Sequence, residues 1–256
     1  MYRILVKNNS GGLSQSEFLR RTLEYLNLRY FFDCCDVNGL RLPDVDRIRE
    51  QLYYDSKILP SQLYIEEWIP KYLWELTALA QHYGLETRLL DWTQDIDIAI
   101  YFAVHSEPTL SDDELKKEES EYVAIWALNT SVAQKIPSLK IIRPPYFGNP
   151  NLAAQKGLFT YWKEEGLPLA SKKIKKEIIE RETVTKPLND LIEEHTPKNE
   201  DSEVYMWRYL IPRKDRVVLY EYIKRRNVTA ATLFPGYDGV VRSLKEDSNI
   251  KKSETK

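Results

Sequence analysis

Two cysteines and three histidines are all that this chain of 256 residues offers for thiol, disulfide or imidazole chemistry. Cys34 and Cys35 are neighbours, and adjacent residues rarely meet disulfide geometry, so a stapled secreted scaffold finds no support and the pair reads as reduced thiols beside a helix end. His82, His105 and His195 show no HxxxH or HxxE spacing, and no CxxC accompanies them, which argues against a metal centre. A Walker loop, a GxGxxG turn and a GxSxG elbow are also missing, which removes the common nucleotide-fold and hydrolase readings. No apolar run approaches the ~18 residues of a membrane span, and the opening MYRILVKNNSGG lacks the apolar centre of a signal peptide, so a cytoplasmic protein with no membrane partner is expected. Charge favours neither sign. The 37 basic and 39 acidic residues leave a net charge of −2, so bulk electrostatics select neither nucleic acid nor anionic lipid.

What is abundant is apolar and aromatic. A hydrophobic share of 43% can fill a core at this length, and one main domain is expected. The 17 tyrosines and 6 tryptophans suit packing first, and interfaces or pockets for planar ligands second. Residues 1–61 read as a helical region. After Gly11-Gly12, with Ser14 or Ser16 as N-cap, Phe18, Leu23, Tyr25, Leu26 and Tyr30 recur at helical spacing, and Val45, Ile48 and Leu52 repeat the pattern after Pro43. From Tyr64 the positions Ile65, Trp68, Ile69, Tyr72, Leu73, Leu76, Leu79, Ala80 and Tyr83 predict one long buried helix despite Pro70, stopped by Gly84. A tight turn, LETRLLDWT, follows. The apolar run from Ile96 to Val104 then reads as a helix with Asp91, Thr93 and Asp95 available as caps.

The second half carries EYVAIWALN, LKIIRPP, LFTYW and VYMWRYLIP, short segments rich in Val, Ile, Tyr, Phe and Trp that predict strands of a sheet. Residues 171–202 alternate runs of both charge signs and read as an exposed helical insertion, whose basic patch at 172–176 is a solvated face. A helix is expected from RKDRVVLYEYIKRRN and a last one after the turn LFPGYDGV, with residues 246–256 as a frayed polar tail. The class is therefore α+β: N-terminal helices packed on a C-terminal mixed or antiparallel sheet, with the core spanning 62–245.

Polar residues gather at two element ends. Gln81, His82, Tyr83, Arg88, Asp91 and Trp92 cluster where a buried helix stops and a turn begins, a placement typical of sites because the elements hold the backbone while turn residues face outward. Arg88 and Asp91 equally suit a structural ion pair tying the turn to the domain. The passage RPPYFGNPNLAAQKGLFTYW brings Arg143, Asn151, Gln155, Gly157, Phe159 and Tyr161 together, with Gln155 either addressing a ligand or capping backbone groups.

The run ALAQHYGLETRLLDWTQDIDIAIYFAV resembles the hallmark of FRG-domain proteins, a largely bacterial and phage-associated family. Its pattern is a helix ending in AQHYG, a proline-threonine-arginine turn, LLDWT and a helix ending in YFA; Glu86 stands here in place of the proline. AAQKGLFTYW and TLFPGYDGVV are similar to the later blocks, so the resemblance spans roughly 62–245. The family's aromatic-Arg-Gly triplet has only Tyr2-Arg3-Ile4 as its counterpart. The order of these motifs is in turn similar to the three motifs of ADP-ribosyltransferases, which bind NAD in the cleft of a split sheet. That likeness implies an NAD-using transferase, acting as a toxin or antiphage effector on a protein or nucleic-acid target. It would have Arg88, Tyr101 and Gln155 in catalytic roles and Arg3, Gln81, His82, Tyr83, Asp91 and Trp92 around the NAD. The other reading is a non-catalytic ligand- or protein-binding module in which the same residues build the domain.

Overall fold

The computed structural model describes residues 6–7, 15–53, 68–105, 121–163, 185–196 and 203–254. It combines helices with antiparallel sheets, the α+β class that the sequence predicts. Tyr2-Arg3-Ile4, the loop at 106–120 and the basic patch at 172–176 lie outside the described residues, and with them Arg3.

Helix α1 (Gln15–Val37) and helix α2 (Val45–Tyr53) open the chain. Helix α1 is where the sequence predicts it, but its buried face is not: Leu23, Leu26 and Tyr30 are exposed, and it is Tyr25, Leu28 and Phe32 of α1 that meet Ile48 and Leu52 of α2 in the largest core cluster. The long helix expected from Tyr64 is not continuous. Pro70 sits at the N-cap of a 3-10 turn (Lys71–Leu73) with extended backbone, and helix α3 (Trp74–His82) starts only after it. Proline lacks the N–H that an uninterrupted helix would need at that position, so over the described residues 68–83 the α-helix begins only at Trp74, and residues 64–67 lie outside the described residues. Gly84 ends α3 with φ +93°, and its N–H reaches the carbonyl of Gln81.

The second correction concerns LDWT. Expected as part of a turn, Leu90–Thr93 is strand β2, paired antiparallel with β5 (Gly157–Trp162), which in turn pairs with β4 (Leu139–Ile142). One face of this three-stranded sheet carries Phe159, Tyr161 and Ile142 into the helical core of α1, α2 and α3. The other carries Trp162 and Leu139 into a second cluster with Leu191 and Ile192 of helix α7 (Leu188–His195). That half of the supposed exposed insertion is thus core on its apolar side, because Leu191 and Ile192 fall together on one face of an otherwise charged helix.

The remaining strands do not extend this sheet. Strand β3 (Tyr122–Leu128) pairs over its length with β7 (Met206–Pro212) as a separate ribbon, and β1 (Val6–Lys7) pairs with β6 (Thr185–Lys186). Short helices α5 (Thr130–Ala133) and α6 (Pro150–Ala154) are capped by the side chains of Asn129 and Asn149. Helix α4 (Ile96–His105) packs Ile98, Tyr101 and Val104 against Ile223 of α8 (Arg216–Arg225) and Ala230 and Leu233 of α9 (Ala230–Leu233), forming a third cluster.

Helix α10 closes the chain as Tyr237–Glu254, so the tail expected to fray from residue 246 is helical through Glu254. Its attachment explains why: Asp247 accepts from Lys224 Nζ at 2.7 Å and from the Tyr220 hydroxyl, and Ile250 is buried. Gly239 is required where α10 leaves the preceding turn, since a Cβ there would lie 1.9 Å from the Phe234 carbonyl oxygen. Among the described residues no helix is long and apolar enough to cross a membrane.

Candidate functional site

The junction from α3 through β2 to α4 is built by hydrogen bonds that its own polar residues make. Gln81 is buried in the last turn of α3; its Nε2 donates to Asp91 Oδ2 at 2.7 Å, and its Oε1 accepts from the Thr87 hydroxyl. These two bonds fix the amide orientation and tie the helix end to β2 across the Gly84 turn. Trp92, on the opposite face of β2, donates from Nε1 to the buried Thr160 hydroxyl at 2.9 Å. Asp95 caps α4 by accepting from Asp97 N at 2.9 Å, and Lys156 Nζ beside it holds the Asp95 carboxyl below its ordinary pKa. Asp97 in turn pairs with Arg226 Nε at 2.6 Å.

Arg88 does not pair with Asp91. Its Nε donates to Glu24 Oε2 of α1 at 2.8 Å, and the side chain is only 2% exposed. Glu24 also accepts from the Trp68 indole and lies 3.7 Å from Arg20 Nε, so one carboxylate gathers α1, the 68–70 segment and the β2 approach. Around this pair lies a small hollow of about 10 Å³ lined by Glu24, Leu28, Trp68, Thr77, Leu85 and Arg88 among others. That is about the room of one water and far below the ~300–1,000 Å³ of usual small-molecule sites.

Tyr101 and Gln155 belong to a different neighbourhood. Tyr101 is fully buried in the third cluster, where its hydroxyl donates to Glu246 Oε1 at 2.8 Å; burial pushes its pKa well up, with the Glu246 bond adding to the rise. Gln155, the C-cap residue of α6, donates from Nε2 to the Leu233 carbonyl at 3.1 Å, and its own carbonyl accepts from Thr93 Oγ1 at 2.8 Å. The two residues thus border the Leu233–Phe234 corner, with the Tyr101 and Phe234 rings 6.3 Å apart, while Arg88 sits in the α1–α3 core.

What faces outward is a smaller set. Tyr83 is 69% exposed, with its ring edge-on to the half-buried His82 at 5.1 Å. Asp91 is exposed, yet the surrounding protein raises its carboxyl pKa, the Gln81 bond opposing; burial likewise lowers that of His82. Arg143 is exposed and Asn151 buried, while Phe159 and Tyr161 are core. Glu24 and Glu246, which hold Arg88 and Tyr101, were not singled out by sequence reasoning; each is 64 and 145 residues from its partner, and no local pattern marks such a pairing.

The arrangement is one in which a signature run builds its own joints, and a family comparison fits that run. A family model described as the FRG domain matches residues 43–112, which take in α2, α3, β2 and α4. Residues 43–112 are similar to that family and are termed the FRG segment. The FRG segment includes Gln81, His82, Tyr83, Arg88, Asp91, Trp92 and Tyr101, whereas Gln155 and the passages AAQKGLFTYW and TLFPGYDGVV lie beyond it. No curated protein and no solved structure matches the chain. Among the described residues no group of three or more His, Cys, Asp or Glu gathers to hold a metal.

Proposed function

We propose that the chain is a non-catalytic, protein-binding module of FRG type, in which the signature builds the scaffold and the open residues of the α3–β2 junction read the partner. One observation carries this reading. The three side chains that a transferase would need free are each committed to the fold: Arg88 to Glu24, Tyr101 to Glu246 and Gln155 to the Leu233 carbonyl. A guanidinium 2% exposed has no fork left to offer a phosphate without breaking its pair, and desolvating a lone Glu24 would oppose that exchange. The exposed Tyr83 ring, the half-buried His82 and the exposed Asp91 are the signature side chains open to a partner at this junction.

The test compares Tyr83→Ala combined with Asp91→Asn, whose amide oxygen can still accept from Gln81 Nε2, against the unchanged chain. The reading expects retained thermal stability and loss of a captured protein partner; retained capture would reject the surface assigned to it.

A second reading, ADP-ribosyl transfer from NAD to a macromolecular target in a toxin or antiphage role, draws support from Asp91. This is a signature carboxylate that solvent reaches and that Gln81 orients, and its chemistry suits ribose hydroxyls. In that reaction the nicotinamide N-glycosidic bond breaks and the ribose carbon bonds to a nucleophile of the target. Labelled NAD incubated with the protein and bacterial lysate decides it: release of nicotinamide that disappears in Asp91→Asn favours transfer, and no release favours the binding module.

A further inference from the structure

Helix α1 is apolar on two opposite faces, of which the fold covers one. Tyr25, Leu28 and Phe32 line the face buried in the core. On the far side of the axis Leu23, Leu26, Tyr30 and Val37 are 47–86% exposed, and Cys34 is exposed between them. Steps of three and four residues keep these side chains on one stripe along about 21 Å of helix. A helix that is hydrophobic all round is ordinarily covered all round, and a contiguous apolar stripe left to water marks a place where protein docks.

The spacing of the stripe fits a second copy of itself. From Leu23 to Val37 the steps are three, four, four and three residues, the same read from either end, with Tyr30 at the centre. Two α1 helices laid antiparallel about a two-fold axis at Tyr30 therefore match layer by layer: Leu23 of one copy meets Val37 of the other, Leu26 meets Cys34, and Tyr30 meets Tyr30. Charge agrees with this register. Arg29 and Asp33 stand one turn apart on the same flank of the stripe, and the pairing brings Asp33 of each copy within about 3 Å, along the axis, of Arg29 of the other. At these exposures the stripe offers roughly 600 Å² per copy, or about 1,200 Å² in all, above the ~1,000 Å² that a specific interface needs and below the ~1,600 Å² of a standard one. That extent suits a reversible dimer.

We propose that the open face of α1 is a homodimer interface, in which α1 lies antiparallel on α1 of a second copy with Tyr30 on the two-fold axis. The interface takes none of Tyr83, His82 and Asp91, so it stands independently of the function proposed for the α3–β2 junction.

Sedimentation velocity of the full chain from about 1 to about 500 μM tests the association, and crosslinking tests the register. The expected result is a reversible monomer–dimer equilibrium with its midpoint in the micromolar range, abolished by Tyr30→Arg, which sets two cations face to face on the axis. Val37→Arg should also abolish it, and because both positions are exposed, the thermal midpoints of the two variants at about 1 μM should equal that of the parent. In Leu26→Cys the new thiol faces Cys34 of the other copy, so mild oxidation with diamide should yield a disulfide-linked dimer. In the parent the two Cys34 stand about 12 Å apart along the axis, too far to bridge, and Cys35 is buried, so the parent should stay uncrosslinked. A chain that is monomeric at every concentration, whether alone or with a different protein on this face, overturns the proposal. So does a dimer that persists in both arginine variants, or a parent that crosslinks as readily as Leu26→Cys.

Discussion

Asp95 illustrates how much of the FRG segment's polar inventory is spent on its own geometry. One oxygen caps α4 through Asp97 N and the other meets Lys156 Nζ at 2.5 Å, fastening the helix start to the α6–β5 turn. The Lys156 bond is the largest influence lowering the Asp95 pKa below 3.8. A depressed carboxyl contributes its stability above the unfolded pKa and loses it as pH falls through the folded one, so this contribution is complete at neutral pH and is lost only as pH falls below 3.8 through the folded pKa. Because Lys156 is half exposed, the effect is small. Urea unfolding at pH 7 and pH 3 should show Lys156→Ala less stable than the parent at pH 7, with the difference narrowed at pH 3. Gln81, Thr87 and Asp91 show the same economy at a helix end, with the difference that solvent still reaches Asp91.

At the scale of elements, the periodic apolar patterns of α2 and α4 were readable because each buries one face on a single core, whereas in α1 the helix was legible but its face was not, since apolar Leu23, Leu26 and Tyr30 are exposed. Strand β2 was not legible. Its four residues alternate Leu90 and Trp92 on one side with Asp91 and Thr93 on the other, and only the pairing with β5, nearly seventy residues on, distinguishes such a segment from a turn. The end of α10 was hidden for a related reason: Asp247 and its neighbours look like a polar tail until Lys224 and Tyr220 of α8 are placed beside them. The same holds for the site residues. Arg88, Tyr101 and Gln155 were recognisable as unusual, but their partners Glu24, Glu246 and the Leu233 carbonyl are distant in sequence, so whether they faced a ligand or the protein could not be read from local spacing.

The α9–α10 corner carries its own prediction. Gly239→Ala places a methyl group 1.9 Å from the Phe234 carbonyl oxygen and 2.9 Å from that of Ala230, both backbone atoms. Overpacking of this kind costs about 1–3 kcal/mol, and thermal unfolding should register it as a lowered midpoint. A midpoint unchanged from the parent would mean that α10 can shift away from α9 without loss.

Across the whole molecule, the FRG segment acts as a keystone between three cores. Through Arg88 and Glu24 it joins the helical core of α1 to α3; through β2 it forms the edge of the three-stranded sheet; through Tyr101 and Glu246 it receives the C-terminal helix. The long sequence separations of these contacts mean that the segment organises the surrounding chain as well as itself. Of the signature's candidate site residues, Tyr83 and Asp91 are exposed and His82 is half-buried, and on these the proposed partner surface at the junction rests.

Equilibrium urea unfolding of Arg88→Ala, followed alongside nicotinamide release from NAD, tests this most directly. Removing the guanidinium leaves Glu24 without its buried cation, and the expected outcome is a loss of about 3–5 kcal/mol of stability, enough to unfold much of the population. An Arg88→Ala protein as stable as the parent, but stripped of an NAD-cleaving activity that the parent possesses, would contradict the account.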